Sequence, residues 1–164
     1  VGGTVNWVAY EKVSNSSYGR VIVSLDLKTE LYGKLSHPDD LEKDYWDLGM
    51  FRDCLCIFAS ALNQNTRRYN TFLDIWIMKE YGIKESWTKL YNVPYVENQY
   101  TSPKTVYISD DDQVLFGFYD LINNNQYQLA VYNSKNGNVK IPKIQYIDSK
   151  MNRKVYVESL ISLP

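Results

Sequence analysis

The sequence predicts an all-β fold of antiparallel strands arranged as kelch-like propeller blades, about three of them and therefore an incomplete propeller. Three observations predict it. Fifteen tyrosines and four tryptophans in 164 residues favour strands. Short unbroken apolar runs, such as Ile75 to Met78 and Cys54 to Phe58, suit strands buried on both faces. A hairpin pattern also recurs: Asp26, Met78 and Asn133 stand at the start of three equivalent turns, roughly 50 residues apart, the period of a kelch-like four-stranded blade. A single unit of this kind cannot cover its own faces, so stacking supplies the core. A β-sandwich built from the same strands is the structural alternative.

The elements follow in order. Thr4 to Tyr10 is the first strand, and Glu11 to Gly19, with Ser14 to Ser17 in its middle, reads as a polar loop. Arg20 to Asp26 is the second strand, and a tight turn at Lys28-Thr29 leads to a return strand from Glu30 to Leu35. Ser36 to Asp47, with Pro38 and several acids, is expected to be an exposed connection. Leu48-Gly49-Met50-Phe51 and Cys54-Leu55-Cys56-Ile57-Phe58 are two strands around a tight turn at Arg52-Asp53. After a polar loop from Asn63 to Asn70, Ile75 to Met78 and Ser86 to Tyr91 form the central hairpin, with Gly82 in its charged turn. One amphipathic helix from Asp74 to Leu90 competes with that hairpin. Ile75 to Met78 would cover a full helical turn, however, and Gly82 would cost about 1 kcal/mol in its interior.

The third round begins after a connection from Asn92 to Lys104. Val106 to Ile108, an acidic turn at 110–112, and Val114 to Phe118 form one hairpin. The asparagine-rich stretch from Leu121 to Gln126 is a loop. Tyr127 to Asn133 and Val139 to Ile144 flank the turn Lys135-Asn136-Gly137. Gln145 to Lys154 is a connection, and Val155 to Leu163 a final apolar strand.

Bulk properties set the boundaries of function. The length suits a single domain over 1–164 with a real core. A formal charge of −1 supplies no field for nucleic acid or anionic membrane. No apolar run approaches the roughly 20 residues of a membrane span. The chain starts at Val1 with neither an initiator methionine nor a leader, so it is expected to be a fragment of a longer protein. Cys54 and Cys56, at i and i+2 on a strand, share a face as core thiols and suit a reducing, cytoplasmic or nuclear compartment.

The stretch from Asp74-Ile75-Trp76-Ile77-Met78-Lys79-Glu80-Tyr81-Gly82 to Ile83-Lys84-Glu85-Ser86-Trp87-Thr88-Lys89-Leu90 resembles the signature of the plant F-box-associated domain. Further pieces fall in that family's order: Asn6-Trp7, Ile22 to Leu27 with Thr29-Glu30, Leu48-Gly49, and Cys54-Leu55-Cys56. Tyr132-Asn133-Ser134 and Ser36-His37-Pro38 depart from its pattern at turns. The resemblance implies an upstream F-box, absent from this sequence, that binds a Skp1-type adaptor of a cullin ubiquitin ligase. This chain would then present a protein substrate for ubiquitination. S-locus F-box proteins are one subgroup with a similar domain.

No catalytic constellation, glycine-rich phosphate loop or cofactor motif stands out, and the chain reads as non-enzymatic. His37 alone cannot supply a metal site, and Asp110-Asp111-Asp112 lacks the spacing and terminal glutamate of a calcium loop. Recognition is expected on loops. The tight turns should share one end of the blades, and the longer loops, at 11–19, 36–47, 63–70, 94–104, 121–126 and 145–154, the other. The longer-loop end is the expected partner-binding surface, with Tyr18, Tyr45, Trp46, Arg67, Arg68, Tyr69 and Tyr95 as its candidates, residue types enriched at protein hot spots. A carbohydrate- or glycoprotein-binding β module is the competing function, suggested by loop aromatics and asparagines.

Overall fold

The computed structural model describes residues 1–15, 17–41, 45–60, 62–63, 68–69, 72–94, 104–120 and 126–142. Among the described residues, thirteen strands run in chain order. The first five are β1 (Thr4–Ser14), β2 (Ser17–Asp26), β3 (Tyr32–Leu35), β4 (Tyr45–Phe51) and β5 (Cys54–Ser60). Next come β6 (Leu62–Asn63), β7 (Arg68–Tyr69), β8 (Phe72–Met78) and β9 (Trp87–Pro94). The last four are β10 (Lys104–Ile108), β11 (Gln113–Asp120), β12 (Gln126–Asn133) and β13 (Asn138–Lys140). They pair antiparallel into a first sheet β1-β2-β3, a middle sheet β4-β5-β8-β9 and a third sheet β10-β11-β12-β13, with β6-β7 as a small ribbon. No α-helix occurs among the described residues, and no helix is long and apolar enough to cross a membrane.

The middle sheet explains the unbroken apolar runs. Along β5, Leu55, Ile57 and Ala59 pack with Ile22 of the first sheet, whereas Cys56 packs with Val114, Phe116 and Phe118 of the third. Along β8, Trp76 and Met78 face the first sheet, and Ile75 and Ile77 face the third. Successive side chains of a strand point to opposite faces, so a strand with neighbours on both sides needs apolar residues at every position. A two-layer sandwich would require only one covered face per sheet. The layering observed, three antiparallel sheets with the middle one covered on both faces, is consistent with an incomplete propeller or a sandwich extended by a further layer. On the far face of the first sheet, Val5 and Trp7 stay 45% and 41% exposed.

The central stretch is a hairpin, not a helix. Met78 pairs with Trp87 and Ile75 with Tyr91, with a bulge between Ile75 and Trp76. Gly82 has φ +86°, which its lack of a side chain permits, and a 3-10 turn at Lys84–Ser86 leads into β9. The three repeat positions do equivalent work. Asp26 Oδ1 accepts the backbone N–H groups of Lys28 and Thr29 at 2.8 and 2.9 Å, and Asn133 Oδ1 accepts that of Lys135 at 3.0 Å. Met78 Sδ accepts the Gly82 N–H at 3.1 Å. The backbone bonds from Thr29 and Lys28 hold the Asp26 carboxyl below its usual value. Arg52 and Asp53, at φ 47° and 59°, form the two-residue turn expected between β4 and β5.

Three expected element boundaries require correction. Residues 11–19 are not a long loop: β1 runs on to Ser14 and β2 starts at Ser17, with Tyr18 paired opposite Lys12. Polar side chains are compatible with a strand whose backbone is paired and whose faces are wet, so composition misread this segment. Residues 36–47 are not an exposed connection throughout. Pro38 and Leu41 are buried, a 3-10 turn spans Asp39–Leu41, and β4 already begins at Tyr45. The strand expected at Val139 to Ile144 is the shorter β13, ending at Lys140. The expected connection at 145–154 and strand at Val155 to Leu163 lie outside the described residues.

Cys54 and Cys56 are free thiols. Burial, with the neighbouring Cys54, pushes the Cys56 thiol up to about 12. The fold favours its neutral form, so that stabilisation is complete below the ordinary thiol value and is lost as pH rises from there toward about 12. At pH 8 we expect Cys56 to resist iodoacetamide in the native chain and to react after unfolding in urea. Peptide mapping of the alkylated protein checks this, and rapid native labelling of Cys56 would contradict it.

Candidate protein-interaction surface

The antiparallel order of each sheet alternates its connections between two ends. Turns 27–31, 52–53, 79–86, 109–112 and 134–137 lie at one end, and the β1–β2 tip and the β6–β7 ribbon at the other. Side-chain bonds hold the turn end together across sheets. Tyr81 donates to Asn6 Oδ1 at 2.7 Å, and its hydroxyl also bonds Ser24 Oγ at 2.5 Å and Thr4 Oγ1 at 3.0 Å. This pins the middle sheet's turn to the first sheet. Arg52 donates to Asp110 O at 2.8 Å and pairs with Asp112 at 3.3 Å, and Tyr91 donates to Asp112 Oδ1 at 2.7 Å. Burial, then the hydrogen bond to Asp112 and its charge, push the Tyr91 hydroxyl up to about 12. This trio pins the middle sheet to the third.

The sequence-derived candidates divide. Tyr18 sits on β2 near the hairpin tip and is 69% exposed. Tyr10 and Val13 on the facing strand are 65% and 71% exposed, and neither was among the sequence candidates. Arg68 and Tyr69 form β7, opposite Asn63 and Leu62. Tyr45 opens β4 opposite Ser60. Arg67 and Tyr95 lie outside the described residues. Trp46 is a correction: it is 3% exposed, in the core shared by the first two sheets. His37 lies 5.4 Å from its ring, and the Arg20 guanidinium 5.9 Å above it, donating to the Trp46 carbonyl at 2.6 Å. Its strand position opposite Ala59 aims it inward, where it supports the surface but cannot offer a contact.

The sequence also left unmarked a cleft of about 300 Å³ at the turn end, between the 3-10 turn at Asp39–Leu41 and the β8–β9 hairpin. Pro38, Asp39, Asp40, Trp76, Lys84, Glu85 and Trp87 line it. Lys84 Nζ bonds Asp39 at 2.5 Å, and the Trp87 indole donates to Ser36 O at 2.8 Å. Those two bonds anchor the 36–41 segment on the middle sheet. Among the described residues there is no group of three or more His, Cys, Asp or Glu side chains able to hold a metal ion. What the surface offers is fixed turns, exposed aromatics and a shallow cleft, the materials of protein recognition.

An F-box/kelch-repeat protein of Arabidopsis thaliana is 29% identical over 164 residues, covering 99% of this chain and 39% of the relative. The chain is similar to plant F-box proteins. The F-box protein CPR1 of the same plant is 24% identical over 168 residues, across 98% of this chain and 37% of its own length. Another Arabidopsis F-box protein is 30% identical over 101 residues, 60% of this chain and 23% of the relative. The chain therefore spans about two fifths of the length of the relatives it matches throughout. No family model matches it.

Proposed function

We propose that this chain is the F-box-associated, substrate-recognition domain of a plant F-box protein acting in a Skp1–cullin–F-box ubiquitin ligase. The carrying observation is the similarity to an F-box/kelch-repeat protein across 99% of the chain, on a fold of stacked antiparallel sheets. The domain is non-catalytic and works in the cytoplasm or nucleus. An F-box elsewhere in the intact polypeptide engages the Skp1-type adaptor, and this part holds the protein destined for ubiquitination. A pre-formed stack of sheets suits that work, because binding then orders few groups.

Substrate capture is assigned to the longer-loop end, at Tyr18, Tyr45, Arg67, Arg68, Tyr69 and Tyr95, with Trp46 buried beneath. The β6–β7 ribbon supports this choice, since its paired backbone places Arg68 and Tyr69 at that end. Proximity labelling by the intact protein, with the proteasome blocked, should mark a protein that accumulates. Replacing Arg67, Arg68 and Tyr69 together by alanine should reduce that labelling about tenfold while the thermal melt stays unchanged. Undiminished labelling would remove the assignment of this end.

A further inference from the structure

The cleft at the turn end has a composition that selects its ligand. Trp76 and Trp87 form walls and are themselves 9% and 8% exposed. The buried indole N–H of Trp76 has no acceptor among the described residues. The Lys89 ammonium stands 5.0 Å from the Trp76 ring centroid, a cation–π contact within the chain. Of three carboxylates at the cleft, Asp39 is bonded to Lys84, while Asp40 and Glu85 have no ion-pair partner among the described residues. Both are exposed. Beside them, Ile83 is 48% exposed and Tyr81 37% exposed. The turn itself is fixed: Ser86 Oγ donates to Glu80 O at 2.9 Å or to Ile83 O at 2.7 Å, and accepts the Glu80 N–H at 3.1 Å.

Two indole walls, two carboxylates with no ion-pair partner among the described residues and an adjoining aliphatic residue together complement a long side chain with an apolar stem and a cationic head. A volume of about 300 Å³ is at the small end of ligand sites and matches one side chain better than a metabolite. We propose that this cleft docks a basic segment of a partner protein, one lysine or arginine of which lies between Trp76 and Trp87 with its charge on Asp40 and Glu85. The segment's neighbouring apolar residues rest on Ile83. The site lies at the opposite end of the sheets from the surface assigned to substrate capture, and it does not depend on a role in a ubiquitin ligase.

The test uses the full 164-residue chain and two synthetic twelve-residue peptides, one alternating leucine with lysine and the other leucine with glutamate. Tryptophan fluorescence should change on titration with the lysine peptide only, and added salt should weaken the interaction. Asp40→Asn/Glu85→Gln should weaken it about tenfold. Asp110→Asn/Asp111→Asn alters net charge equally at another turn and should bind as the parent does. Equal binding of the glutamate peptide, equal loss in both double variants, or no binding of the lysine peptide would each overturn the proposal. The Arg67, Arg68 and Tyr69 triple variant should retain the lysine-peptide response, which separates this site from the longer-loop end.

Discussion

Replacing Gly117 by alanine is expected to destabilise the chain by about 3 kcal/mol, a large fraction of the roughly 5–15 kcal/mol that holds a domain folded. Gly117 pairs with Leu129 on the next strand, and the buried ring of Tyr127 lies directly across it. A Cβ there would meet Tyr127 Oη at 1.4 Å and Cζ at 2.0 Å. The ring is itself held, in a T-shaped contact with Tyr119 at 5.2 Å, so it cannot step aside without breaking another contact. Gly33→Ala is the matched control, because a Cβ at Gly33 meets nothing within 4 Å. Urea unfolding should show a large fall in midpoint for the first variant and almost none for the second. A parental midpoint for Gly117→Ala would mean that the Tyr127 ring has another place to go.

Ile57→Ala and Ile75→Ala are each expected to cost about 2–5 kcal/mol. Both side chains are fully buried, but in different cores: Ile57 in the one shared with the first sheet, Ile75 in the one shared with the third. Equal, large penalties follow only where the middle sheet is covered on both faces. Were one face open to water, the variant on that side would shift the urea midpoint little, since surface substitutions stay within about 0.5 kcal/mol. The pair therefore measures the layering directly.

Fold class was legible because the signals are local. β-favouring residues, the run from Ile75 to Met78, and turn-opening Asp26 and Asn133 each act over a few positions, and the structure uses them as such. The turn at Arg52-Asp53 was legible from its flanking apolar runs, although Arg52 does not advertise a positive φ. Boundaries fared worse where polar composition and strand pairing disagree. Glu11, Lys12 and Ser14 look like a loop, yet their backbones pair with β2. Trp46 looks like a contact residue in an acidic connection, yet β4 has begun and turned it inward.

The sequence by itself determined that the chain is all-β, where most hairpins turn, and which strands are buried on both faces. Those properties follow from backbone preference and from the two-residue period of a strand, both of which are written in neighbouring positions. Only the tertiary structure decided which face of the middle sheet meets which partner, that Tyr81 and Arg52 fasten the sheets at the turn end, and that Trp76 and Trp87 line a cleft with Asp40 and Glu85. Such contacts join residues tens of positions apart in the chain, and no local preference specifies them. They arise when stacking brings separate turns to one end, where a side chain's neighbours are set by the layers beside it.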